Sequence, residues 1–337
     1  MFATLGRIVH AHRRAVAAIW ILVVLALALP AASVSEHLSS GGWIVPGAES
    51  SAVGVRIGEL FGTGKGRIVV VLDGGPGADA RSPGFRAAAK ATLAPLADDP
   101  RVERLLGWDE LPDDRFISLD GTMSFTVVEF GMPDEAITDL IPELTARLVP
   151  AQGIAAVHLS GYPPIAYDSA RISEEDLRRA ETISLPIALL ILVIVFTSLV
   201  AAGMPLVVAG VAIPVALGSI GLLAERTEMS VYVLNVSTML GLALAIDYSL
   251  FVVSRFREEL AAGQTVALAV ERAVATSGKA VVFSAMAVAI GLAGLMVFPS
   301  SALTSIGTAG AITVAASAAA AVTFLPDRKS TRLNSSH

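Results

Sequence analysis

Val233 to Val253 reads VLNVSTMLGLALAIDYSLFVV. It is long enough and apolar enough to cross a bilayer, and its only ionisable side chains are Asp247 and Tyr248. An aspartate near the middle of a spanning helix costs roughly 2.5–3.5 kcal/mol on insertion scales. A chain carries that cost when the group is paired, protonated or useful. Removal from water favours the neutral acid, so Asp247 is suited to take up and release a proton. A carboxylate that cycles its proton inside the membrane is the core of an ion-coupled transporter. The competing reading is an aspartate that only joins helices by hydrogen bonds.

Composition around this stretch agrees with a membrane protein. The chain is 54% hydrophobic and 16% charged, with a mean hydropathy of +0.69, which is too apolar for a water-soluble fold. A net charge of −6 with no basic stripe gives no footprint for nucleic acid. There is no cysteine, so disulfides, thiolate metal sites and cysteine nucleophiles are excluded. Six apolar runs pass the length test: 15–33, 183–201, 204–224, 232–253, 280–298 and 303–325. Arg7, Arg13 and Arg14 precede the first, which predicts a cytoplasmic N-terminus. Counting onward puts 34–182 outside and 254–279 inside, where Arg255, Arg257, Arg272 and Lys279 cluster. Arg255 and Arg257 then mark the cytoplasmic boundary of the fourth span. The basic start, the apolar run and Leu29-Pro30-Ala31-Ala32 also fit a cleaved signal peptide. The run is long for one, and a retained helix is expected.

These boundaries divide the chain into an N-terminus with span one (1–33), a water-exposed domain (34–182) and spans two to four (183–253). A cytoplasmic amphipathic helix (254–279) and spans five and six (280–326) follow. The polar tail 327–337 is unrelated to the rest and is expected to be non-native, and the chain is expected to be one half of a longer protein. In the exposed domain, strands are predicted at 67–72, 102–106, 122–130 and 153–159, with helices over 82–96 and 133–148 and another from about 165. Pro142 predicts a kink or an early end in the second helix. The order β-α-β-β-α-β is that of a split βαβ sandwich with an antiparallel sheet and both helices on one face. Glu129 is expected to face solvent.

Gly241 and Ala245 form a small-xxx-small pair that admits a neighbouring helix, and Ala243 leaves room one turn before Asp247. Ser284, in the fifth span, is a weaker relay neighbour, because a lone serine in a span commonly bonds its own i−4 carbonyl. Gly74-Gly75-Pro76-Gly77 lacks the lysine of a phosphate loop and reads as a turn. The histidines do not have ligand spacing, so no metal site is predicted. No catalytic motif is present in the sequence, and an enzyme is the least favoured class.

The string GLALAIDYSLFVVSRFREEL at 241–260 resembles the MMPL family, the mycobacterial-type large membrane proteins of the resistance-nodulation-division superfamily. GGWIVPGAESS at 41–51, DDPRV at 98–102 and SGKAVVFSAMAVA at 277–289 are similar to further segments of that family. The resemblance implies an α-helical bundle of six spans with an extracytoplasmic α+β ferredoxin-like porter domain, the N-terminal half of such a transporter. It implies a multi-pass protein of the bacterial inner membrane, in contact with membrane lipids, that exports lipids or other amphiphiles. Protons are the coupling ion and no cofactor is expected. Asp247 and Tyr248 match the family's relay pair, whose counterpart lies on a tenth span. A relay therefore needs a missing C-terminal half or a homo-oligomer. Ala243 stands where a second glycine is common, and Ala287 where threonine is common. Related superfamily members assist protein secretion, so a non-transporting scaffold or lipid sensor is the alternative.

Overall fold

Alternation along Arg67–Asp73 places Ile68, Val70 and Leu72 on one buried face, as the period of two requires of a strand covered on one side. A computed structural model describes residues 1–39, 45, 47–61 and 66–324. In chain order the elements are α1 (Phe2–Ala11), α2 (Arg13–Ala32), β1 (Leu38–Ser39), α3 (Glu49–Phe61), β2 (Arg67–Asp73), α4 (Pro83–Ala97), β3 (Val102–Leu106) and β4 (Met123–Phe130). Then come α5 (Asp134–Thr138), α6 (Ile141–Arg147), β5 (Ala156–Ser160), α7 (Tyr162–Phe196), α8 (Leu199–Ala224) and β6 (Met229–Ser230). The remainder is α9 (Tyr232–Ala261), α10 (Val266–Ala273), a π turn (Val274–Gly278), α11 (Lys279–Ala293) and α12 (Ser301–Thr323). Two compact units result, one from residues 46–173 and one from 1–45 with 174 onward.

In the smaller unit the four strands lie in the order β3-β4-β2-β5, every neighbour antiparallel. Inward residues of β2 and β4 share one core with Phe85, Leu93 and Leu96 of α4, Ile137 of α5 and Ile141 and Leu144 of α6. The helices therefore cover the same sheet face. Ser82 starts α4 by accepting the Phe85 N–H at 3.2 Å, with Pro83 in the first turn. The helix expected over 133–148 is broken in two. Pro142 stands in the first turn of α6, where its missing N–H costs nothing, and its ring bars a helix from running through residue 138. Asp99, just past α4, is almost fully buried and receives both Arg101 and Arg147, while Arg101 also reaches Glu143 at 2.6 Å. This knot ties the end of α4 to α6. The Arg101 hydrogen bond, against the opposing effect of burial, holds the Asp99 carboxyl well below the usual carboxylate range. Glu129 lies on the sheet face away from the helices and pairs with Arg104 at 2.7 Å.

In the larger unit six helices are long and apolar enough to cross a membrane, among the described residues. α8, α9 and α12 are the most enclosed, while α2, α7 and α11 keep most of their surface outward. Close approach explains the glycines of α8. A Cβ on Gly218 would sit 2.5 Å from the Leu27 carbonyl oxygen, and one on Gly221 would strike the Pro30 carbonyl.

Several boundaries differ from those read in the sequence. The second span ends at Phe196, not near 201: Thr197 takes a left-handed φ of 50° and Ser198 caps α8. The residues flanking this break are apolar on both sides, so hydropathy runs through it. The cytoplasmic helix expected over 254–279 is shorter. Residues 254–261 continue α9, and Val266–Ala273 runs through the π turn at Val274–Gly278 into α11 without a break. Its apolar face does not lie open to a membrane surface: Ala269, Val270 and Ala273 join the main core, and α1 packs so closely on α10 that a Cβ on Gly6 would lie 2.9 Å from Glu271 Cα. α1 and α3 were not anticipated. The segments at 41–44 and 46 and the tail at 327–337 lie outside the described residues.

Candidate functional site

α9 carries the candidate residues Asp247 and Tyr248, and its two sides differ. Gly241, Ala245, Tyr248, Ser249 and Val252 are buried. A Cβ on Gly241 would stand 3.1 Å from both Ile213 of α8 and Thr313 of α12, so α9 is wedged between those helices there. On the other side Met239, Ala243, Asp247 and Phe251 are exposed, at the four-residue spacing that lines one helix face. Ala243 was grouped with Gly241 and Ala245 as a packing residue. Two residues along a helix turn the side chain through about 200°, so Ala243 shares the open face with Asp247.

The Tyr248 hydroxyl is buried and makes no direct hydrogen bond. Ser284 on α11 and the adjacent Asp247 are near enough to act on it electrostatically. Tyr248 thus has Ser284 of α11 near its hydroxyl, while Asp247 points to the open side of α9. The Ser249 and Ser317 hydroxyls are also buried without a partner, which is costly in an apolar interior.

The end of α9 is held by ions. Arg255 pairs with Glu258 at 2.9 Å and with Glu259, and Arg272 reaches Glu259 at 3.0 Å. Arg257 donates to the Phe196 carbonyl and stands 5.7 Å from the centre of that ring. It therefore clamps the last carbonyl of α7. Sequence reading missed this contact, because Arg257 reads simply as a boundary cation. Among the described residues no cluster of His, Cys, Asp and Glu could hold a metal ion.

Six membrane-length helices among the described residues, the fourth with a carboxylate on its open face, define a multi-pass membrane protein. The chain belongs to the MMPL family, whose sequence profile matches residues 43–327. A putative membrane protein of Streptomyces coelicolor is 36% identical over 97% of this chain and 46% of its own length. The trehalose monomycolate exporter MmpL3 of Mycolicibacterium smegmatis is 30% identical over 86% of this chain and 29% of its own. The mycolic acid-containing lipids exporter MmpL11 of the same organism is 29% identical over 93% of this chain and 33% of its own. The chain thus spans less than half the length of these relatives.

Proposed function

We propose that this chain is part of a proton-driven exporter of lipids or other amphiphiles in a bacterial inner membrane, with Asp247 as the group that carries the coupling proton. One observation carries the reading: Asp247 stands on an uncovered stripe of a membrane-length helix whose opposite side is fully packed. A bare carboxylate facing lipid is expensive. The stripe is a surface awaiting another helix, from sequence beyond this chain or from a second copy. The names of the relatives support export of a lipid.

In this account the smaller unit is the extracytoplasmic porter domain. Its strand order, counted within the unit as 4-1-3-2 and all antiparallel, together with a single helix layer, is that of a ferredoxin-like fold. The basic residues near the first span and after the fourth keep the N-terminus cytoplasmic. Asp247 takes a proton from outside, which removes its charge and lets α9 repack against its neighbours. Release to the cytoplasm restores the charge and reverses the change, a two-state element biased by one proton. In this reading Tyr248, next to Asp247 in the chain, and Ser284, near the Tyr248 hydroxyl, share or relay that proton. Movement of α9 pulls on the Arg257–Phe196 clamp and so on α7, a single helix that begins at Tyr162 in the smaller unit.

The test is energised export of a labelled amphiphile from cells producing the protein. Asp247→Asn keeps size and hydrogen bonding but cannot titrate. It should reduce export to the level seen with a protonophore, while Asp247→Glu retains part of it. Unchanged export in Asp247→Asn would remove Asp247 from the coupling, and export no greater than in cells lacking the protein would favour a non-transporting scaffold of the same fold.

A further inference from the structure

The sheet of the smaller unit leaves a gap under α4. On β4 the inward positions Val128 and Phe130 are large, but Ser124 and Thr126 are small and carry hydroxyls. Gly107 adds no side chain beside Thr126. A cavity of about 140 Å³ results, bounded by α4, β3, β4 and the 108–110 turn. Its walls include Phe85, Leu93 and Leu105, and its floor includes the two hydroxyl residues.

Two cations line it, one turn apart on α4: Arg86 and Lys90. The Arg86 guanidinium lies 4.8 Å above the Trp108 ring, and its Nε is buried with no hydrogen-bond partner. Neither cation has an ion pair among the described residues, although Arg101, Arg104, Arg115 and Arg147 of the same unit are all paired. Asp109 and Glu110 stand at the same rim without reaching Arg86. Glu110 accepts the Gly107 N–H at 3.0 Å instead. A buried guanidinium N–H without an acceptor is a cost that an anionic oxygen would remove.

We propose that this cavity binds the head of an anionic amphiphile. Carboxylate or phosphate oxygens meet Arg86 and Lys90 and accept from the Ser124 and Thr126 hydroxyls. The carbons next to the head lie against Phe85, Leu93 and Leu105. At about 140 Å³ the cavity takes a head and its first carbons, and the remaining chain trails outside. The site is independent of the Asp247 relay, because binding here needs no gradient.

The probe is hexyl phosphate, which is soluble and short, titrated against the full chain in nanodiscs of zwitterionic lipid. Trp108 fluorescence is the readout, assigned by its loss in Trp108→Phe. Hexyl phosphate should change the signal saturably, hexanol should not, and inorganic phosphate should bind at least about tenfold more weakly. Arg86→Gln should weaken hexyl phosphate about tenfold or more, and exposed Lys90→Gln should weaken it several-fold without risk to the fold. Asp109→Asn should tighten it by removing a like charge from the rim. Asp247→Asn should bind as the parent does. Equal binding by the parent, Lys90→Gln and Asp109→Asn would overturn the proposal, as would saturation by hexanol. Equal binding of inorganic phosphate would overturn the amphiphile and leave only an anion site.

Discussion

Asp99 is buried and ionised because Arg101 and Arg147 both reach it, whereas Asp247 stands on an apolar stripe of α9 and makes no ion pair among the described residues. Geometry separates the two: the first carboxylate fastens α4 to α6, and the second stands on the open face of α9. The Asp99 knot gives a stability prediction. Its carboxyl titrates below the usual range in the folded state, chiefly through the Arg101 hydrogen bond, so it stabilises the fold above its unfolded pKa of about 3.9. That contribution is lost as pH falls below this value toward the folded pKa. Asp99→Asn should destabilise the smaller unit by about 3 kcal/mol near neutrality, and the gap to the parent should narrow below about pH 4. Thermal unfolding of both proteins across acid pH measures this, and a gap that does not change with pH would assign the stability to packing. At this scale the placing of Asp247 inside a membrane-length helix was legible, because a charge in an apolar run needs no structure to be noticed. Arg86 was not, since it reads as an ordinary solvated residue on an amphipathic helix until the Trp108 ring and the cavity are seen beside it.

The elements were legible where pattern and chemistry agree. Alternation in Arg67–Asp73 and Met123–Phe130 marked two strands, and apolar length marked the six spans. Junctions were harder. Nothing apolar distinguishes Phe196 from Leu199, so the break at Thr197 rests on a backbone turn and on the Ser198 cap. The covered face of α10 depends on α1, whose Phe2, Gly6 and Val9 spacing is a helical signal in a segment that reads as a charged leader. Contact between α2 and α8 is set by glycine. Gly221→Ala should push α2 away from α8 and lower stability by about 1–3 kcal/mol. Gly203→Ala and Gly210→Ala, where an added Cβ meets nothing within 4 Å, should be close to neutral. Melting temperatures in one detergent compare the three, and equal losses would mean that close approach is not what Gly221 supplies.

Taken as a whole, the larger unit is well packed around α8, α9 and α12 but leaves the Met239–Ala243–Asp247–Phe251 stripe open. Sequence alone supplied the helices and the carboxylate but not the open face, because which side of α9 is covered depends on where α8 and α12 settle. The stripe joins the two parts of the account: a covering helix would place a partner beside Asp247, and the Arg257–Phe196 clamp would carry the response into α7. The central claim is that Asp247 carries protons, and it is tested by dissipation of an imposed pH gradient in membrane vesicles containing equal amounts of the parent, Asp247→Glu and Asp247→Asn. The account predicts dissipation by the parent, partial dissipation by Asp247→Glu and the rate of empty vesicles for Asp247→Asn. Dissipation by Asp247→Asn at the parent's rate would contradict it.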